Sequence, residues 1–435
     1  MTISREASEA KERTLRLLSY IAPEPRPFAV RLWDDSTLPA SGDAEGAPPA
    51  TLVLSDPYAL GRALQPPVDL SAGEAFVRGE IDVEGDLEVV FEAMGGLLEA
   101  AAGGGMLERL RAMGDVVALR RQASRHPPEG AATLSGQRHS RNRDSSAIRH
   151  HYDLPVDFYR LWLDRRMVYS CGYFPTGEET LDEAQEAKLD LVCRKLRLTP
   201  EHHLLDIGCG WGSLVGYAAE HYGSRATGIT LAERQVEEGT RRLNQAGVAD
   251  RASVEIRDYR DVEGTFDRVA SIGMAEHVGR EGMQEYFQAA WDRLAPGGLM
   301  MNHAISRGPN AFEDRRDPEQ PSFIDRYVFP DGEILNLTET VRAAEAVGFE
   351  VRDVEDLREH YAATLRHWVA NLEASWDEAV ATVGEDRARI WRLFMSGSAH
   401  NFARGRLSVH QTLLGKPDDR GRVEVPPSRA DLYRP

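Results

Sequence analysis

The chain is short of cysteine, of long apolar runs and of positive charge. Three cysteines occur in 435 residues, Cys171, Cys193 and Cys209, with no C-x-x-C pair, so neither a disulfide framework nor a cysteine-built zinc site can organise the fold. No run of about eighteen apolar residues exists to span a bilayer, so any contact with a membrane is expected to be peripheral. The opening residues, MTISREASEAKERT, are charged where a signal peptide is apolar, and a cytoplasmic protein is expected. Lys and Arg total 52 against 70 Asp and Glu, a net charge of -18. That field repels phosphate polymers, and no nucleic-acid partner is expected.

What remains is ordinary globular composition, 42% hydrophobic and 28% charged, over a length that suits two or three domains. The stretch His202 to Gly223, HHLLDIGCGWGSLVGYAAEHYG, carries the strongest local signal. Leu204, Leu205 and Ile207 read as a short buried strand, Gly208, Gly210 and Gly212 as a tight turn, and the residues from Ser213 as an amphipathic helix. Glycines there let a cofactor lie against bare backbone. The pattern D-x-G-x-G-x-G differs from the G-x-G-x-x-G of dinucleotide sites. Acidic Asp206 would repel a pyrophosphate and suits a cationic amino-acid cofactor, which points to S-adenosylmethionine.

Further strands are expected at Arg225 onward, Ala252–Arg257, within Phe266–Gly279 and Gly297–Ser306, with helices between them. That alternation predicts an α/β fold with a doubly wound, mostly parallel sheet. Ligands would sit beyond the strand C-termini, where Gly208, Thr230, Tyr259, Glu276 and His303 emerge. A helix at Ile334–Val347, a strand at Phe349–Val354, two long helices between Ala362 and Arg404 and a strand at Leu407–Leu414 complete the reading. Residues 1–105 are expected to form a smaller N-terminal α+β domain, with Gly73–Met94 as short helical pieces. From 105 to 150 nine arginines face four acids, and 106–149 reads as a basic helical linker.

Several blocks in order across 150–415 resemble the cyclopropane-fatty-acyl-phospholipid synthases and mycolic acid cyclopropane synthases: HYDLPVDFYRLWLDRRMVYSCGYF, LLDIGCGWGSL, GITLAERQ, FDRVASIGMAEHVG, NHAIS, FIDRYVFPDGE, HYAATLRHWVANL and SGSAHNFARGRLSVHQTLL. The resemblance implies a Rossmann-like class I methyltransferase domain of seven strands over 150–435, with C-terminal helices around a lipid tunnel. It also implies that 1–105 is lipid-associated. The implied reaction moves the methyl of S-adenosylmethionine to a cis double bond of a phospholipid acyl chain, through a carbocation, to a cyclopropane.

By the same resemblance, a bound bicarbonate acts as base, held by Cys171, Glu276, His303, Ile305 and Tyr361, with Gly273 in the same turn. The cofactor would be met by Tyr169, Ser170, Asp206, Gly208, Gly210, Thr230, Leu231, Gln235 and Tyr259. Read without the family, Cys171 and His303 are ordinary core residues, and Tyr361 could cap a helix. Glu276 and His277 are adjacent, so only one is expected to face the site.

Ala275, Ala304, Ser306 and the segment Asp331–Leu337 depart from the family pattern near the reacting carbon. They raise the alternative that the cation loses a different proton, giving a methylene chain that a separate reductase turns into a methyl branch. A small-molecule N-methyltransferase and a non-catalytic lipid carrier are the other classes left open. The arginine-rich segment either meets anionic phospholipid at a membrane surface or neutralises the protein's own acids. A homodimer also stays open.

Overall fold

The computed structural model describes residues 5–41, 47–93, 106–120, 128–132, 141, 143, 154–311, 321–430 and 432. The start of the HYDL block, half of the basic linker and Arg121, Arg125, Arg138 and Arg149 lie outside these residues. The chain forms two compact units. One comprises Met1–Ala132, Asp314–Val328 and Trp376–His400, the other Thr133–Glu313, Phe329–Ser375 and Asn401–Pro435.

The first unit is built on a four-stranded sheet in the order β2-β1-β3-β4, where β1 is Ala29–Arg31, β2 Thr37–Leu38, β3 Ala50–Leu54 and β4 Ile81–Gly85. β3 alternates buried and half-buried residues, as a one-sided sheet requires. Its inward residues pack with Leu17 and Leu18 of the helix Arg5–Ile21, and with Phe28 and Phe76. β4 corrects the expectation of helical pieces over Gly73–Met94: a helix, Val68–Val77, ends just inside it and a strand follows. The alternation Ile81, Asp82, Val83, Glu84 carries that strand, pairing Leu52 with Val83.

The linear division expected at 105 is not how the chain packs. The helix Met106–Leu119 lies against Arg5–Ile21, where Arg13 and Arg16 both bond the buried Asp115. Residues 376–400 join this unit through Arg389, which donates to the Phe76 carbonyl at 2.9 Å and to Asp82 at 3.0 Å and stacks on the Phe76 ring. Where two long helices are expected after Ala362, three occur, Arg358–Ala374, Trp376–Val383 and Glu385–Ala403. Gly384, at φ +83°, makes the second break.

The second unit carries a seven-stranded sheet in the order β10-β11-β9-β8-β5-β6-β7. Its strands are β5 His203–Ile207, β6 Arg225–Thr230, β7 Ala252–Ile256, β8 Phe266–Ile272, β9 Leu294–Arg307, β10 Glu350–Asp356 and β11 Leu407–Gly415. All neighbours are parallel except β11, which runs against β9 and β10. β5 is buried on both faces, hence its continuous apolar run. It is also the switch point: β6 lies to one side and β8 to the other, which opens a crevice at its C-terminal end. The expected fold class is the observed one.

Candidate active site

The turn after β5 is shaped by positive φ. Gly210 has φ +54°, and a Cβ built there meets no protein atom within 4 Å. That side of the turn is open. Beyond the turn lies a cavity of about 160 Å³. Tyr169, Ser170, Asp206, Gly208, Gly210, Thr230, Leu231, Gln235 and Tyr259 all line it. Thr230 at the end of β6 donates to Oε1 of Gln235 at 2.6 Å, which ties the strand end to the following helix.

Asp206 is 3% exposed, and its Oδ1 is buried with no partner in the protein. Burial pushes the carboxyl up to about 7, against the pull of the nearby Lys188 ammonium. An orphaned carboxylate oxygen at the cavity wall fits the ammonium of a methionyl group. Lys188 is itself buried, lines the cavity and donates to Ser170 Oγ at 2.9 Å. Burial brings its ammonium down to about 8.

Lys188 was invisible as a site residue in the sequence, although a signal exists. In the helix Leu181–Lys195, Gln185, Lys188 and Lys195 are buried polar residues at helical spacing. Three such residues turned inward are a polar stripe that must find partners. A capping box fixes the helix start: Thr180 Oγ1 accepts from the Glu183 N–H while Glu183 accepts from the Thr180 N–H.

The second group of expected residues is built from the turn after β8. Gly273 lines the cofactor cavity, and its N–H donates to the His303 carbonyl at 2.8 Å. Three residues on, Glu276 Oε1 accepts from the Ile305 N–H at 2.6 Å. Its other oxygen, Oε2, is buried without a partner, and so is Nε2 of His303. Burial pushes Glu276 up to about 7 and holds His303 neutral, well below the usual histidine range. Near neutral pH Glu276 is thus shared between carboxyl and carboxylate while His303 is an uncharged imidazole, and both have hydrogen-bonding capacity unspent.

Cys171 is fully buried, its thiol donating to the Gly172 carbonyl at 3.1 Å, and burial pushes its pKa up. It is no thiolate nucleophile. Tyr361 is half-buried against Phe402 and Trp368. Trp368 also meets Trp162 at 5.4 Å and Tyr169 at 5.3 Å, and Tyr159 meets Trp211 at 4.8 Å. Tyr169 and Trp211 line the cofactor cavity, so this wall of π-faces begins there.

Of the adjacent pair it is His277 that lines the cavity, while Glu276, the one picked by the resemblance, is bound to Ile305. The single 3-10 turn Ala275–His277 sends consecutive side chains to different sides. The divergent segment lies beside Glu276, because the Glu333 N–H donates to the Glu276 carbonyl at 2.9 Å and Arg307 N–H to the Leu335 carbonyl. Ser306 bonds His410 at 2.9 Å. Arg143 pairs with Asp331 and Arg141 with Asp261, so these two arginines of the basic segment serve the protein's own acids.

The family described as mycolic acid cyclopropane synthetase matches residues 139–412. A probable fatty acid methyltransferase of Pseudomonas putida is 38% identical over 412 residues, covering 94% of this chain and 96% of its own. Cyclopropane mycolic acid synthase 3 of Mycobacterium tuberculosis is 35% identical over 278 residues, covering 62% of this chain and 96% of its own. Among solved structures, mycolic acid cyclopropane synthase CmaA1 complexed with SAH and CTAB aligns at a TM-score of 0.59 and 34% identity, over 62% of this chain and 97% of that one. With the family matched over most of its length and a relative aligned along nearly all of it, the chain belongs to the mycolic acid cyclopropane synthetase family of S-adenosylmethionine-dependent methyltransferases.

Proposed function

We propose that the enzyme methylates the cis double bond of an unsaturated acyl chain in a phospholipid and closes the product to a cyclopropane. The observation that carries this reading is two buried, unpartnered atoms, Glu276 Oε2 just after the turn whose Gly273 lines the cavity, and Nε2 of His303 on β9, whose carbonyl accepts from Gly273. S-adenosylmethionine supplies an electrophilic methyl; Asp206 would hold its ammonium, and the glycine turn would admit it. An isolated alkene is a weak nucleophile, so the protein must align it and exclude water. The aromatic wall of Tyr159, Trp162, Tyr169, Trp211 and Trp368 does both, and its π-faces favour a developing cation.

Bicarbonate would supply a base. Glu276, bonded to Ile305, and His303 are suited to hold it, a carboxylate oxygen accepting from its O–H while an imidazole N–H donates to its oxygens, and the family resemblance would add Cys171 and Tyr361. Small-molecule N-methylation would instead use such a pair to deprotonate a substrate ammonium, so the lipid product itself must separate the two readings. One further observation favours a second product. Residues 331–337 and Ala275 border Glu276, where loss of a different proton would give a methylene chain for a separate reductase. Expression in a bacterial host lacking its own cyclopropane synthase tests both. A gain of one CH2 on monounsaturated phospholipid chains is expected, with cyclopropyl protons at high field in the NMR spectrum. Olefinic methylene signals would move the reading to the second product, and no gain in mass would end it.

Membrane association belongs to the same proposal. Among the described residues no helix is long and apolar enough to cross a membrane. On Met106–Leu119, however, Leu107, Leu110, Met113 and Val117 are 59–72% exposed in one stripe. Their spacing of three to four puts them on one helix face, opposite the face that packs on Arg5–Ile21 through Asp115. Exposed Arg109 and Arg111 flank the stripe. An apolar stripe edged by arginines complements an anionic lipid surface locally, against the repulsion of a chain of net charge -18. Co-sedimentation with phosphatidylglycerol vesicles should be salt-sensitive and fall on the order of tenfold in a Leu110→Ser, Met113→Ser variant. Equal binding of variant and parent would sink the assignment, and loss of a dimer in the variant would reassign the stripe to a second copy.

A further inference from the structure

His303 on β9 lies directly across from Gln411 on β11. The Gln411 nitrogen Nε2 sits 3.4 Å from His303 Nδ1, and its Oε1 accepts from Lys195 Nζ at 2.8 Å. Lys195 is fully buried and also meets Glu355 Oε2. Gln411 is fully buried too.

The direction of each bond in this chain is forced. A lysine ammonium can only donate, so the end of the Gln411 amide that faces it must be the oxygen. The nitrogen is then the end that faces His303, and an amide nitrogen can only donate. His303 Nδ1 must therefore accept, so it carries no proton. In a neutral imidazole the proton then resides on Nε2, and burial together with the nearby Lys188 and Lys195 charges keeps the ring neutral. Nε2 is the atom that is buried without a partner.

We propose that Lys195 and Gln411 are positioning residues that lock His303 as the Nε2–H tautomer, so that it serves the reaction as a fixed hydrogen-bond donor and not as a proton acceptor. The inference rests on the reading that an anion lies between His303 and Glu276, and it divides the labour there. His303 donates, and proton uptake falls to the anion, with Glu276 Oε2 at its O–H.

The decisive measurement is the ¹⁵N spectrum of histidine-labelled protein without substrate, which distinguishes the tautomers directly. His303 is expected to show a protonated Nε2 and an unprotonated Nδ1 near neutral pH. In Gln411→Glu the carboxylate accepts from both sides, and His303 should gain a proton on Nδ1. In Lys195→Met the amide is free to turn, and both tautomers should appear. Enzymatically, Gln411→Glu should raise the bicarbonate concentration needed for half-maximal rate by about 10- to 100-fold, with KM for S-adenosylmethionine unchanged. A native His303 protonated on Nδ1, or a tautomer insensitive to both substitutions, would overturn the lock. Should one variant fail to fold, the tautomer ratio in the other decides. Should the tautomers behave as expected while the rate is indifferent to bicarbonate, the lock stands and only the anion reading falls.

Discussion

At the scale of single residues, the chemistry turns on polar atoms that burial has left unsatisfied. Asp206 is the plainest case, with a carboxyl pushed up to about 7 and one oxygen without a partner. A cationic cofactor stabilises the ionised form, so binding below that pKa must expel a proton. Affinity for S-adenosylmethionine is therefore expected to climb about tenfold per pH unit up to about 7 and to level off above it. Calorimetric titration at several pH values checks this. Asp206→Asn should bind more weakly and lose the dependence, and an unchanged slope in that variant would exclude Asp206 as its source.

The same scale shows what can be read from one dimension. Asp206 and the glycines declare themselves because a turn against a cofactor tolerates few residue types. Lys188 and Gln411 do not, since each lies in a stretch that reads as ordinary helix or strand. Their roles come from partners in other elements, Ser170 for Lys188 and His303 for Gln411.

At the scale of elements, the clearest lesson is the fate of the C-terminal helices. Periodicity finds them, but the unit to which Trp376–His400 belongs is decided by Arg389, which reaches Phe76 and Asp82 some three hundred residues earlier in the chain. Arg389→Ala removes two charge-assisted hydrogen bonds and a cation–π contact. A loss of about 2–3 kcal/mol from this unit is expected, seen as a lower urea midpoint with cofactor affinity retained. A midpoint equal to the parent's would show the contact to be incidental. β4 teaches the converse: its alternation was present in Ile81–Gly85, but the neighbouring helix and glycines masked it.

At the scale of the whole molecule, the net charge of -18 does more than repel polyanions. S-adenosylmethionine carries a net positive charge and its demethylated product none, so the field should draw in the one and ignore the other. Stopped-flow association of the cofactor is expected to slow by several-fold on going from low to physiological salt, on the order of the screening of exposed charges, while association of the product stays flat. Equal salt dependence for both would assign the effect to something other than steering.

The sequence by itself determined the parallel sheet, its seven strands and the glycine turn, because strand periodicity, helix spacing and the steric demands of a cofactor turn are local. It also carried the residues of both site groups, through motifs that each fit within a few positions. Only the tertiary structure decided which helices join which unit, which of Glu276 and His277 lines the cofactor cavity, and which way the Lys195–Gln411–His303 chain donates. Those outcomes depend on buried polar groups finding partners far away in sequence, and the need for a partner is legible in one dimension while its identity is not.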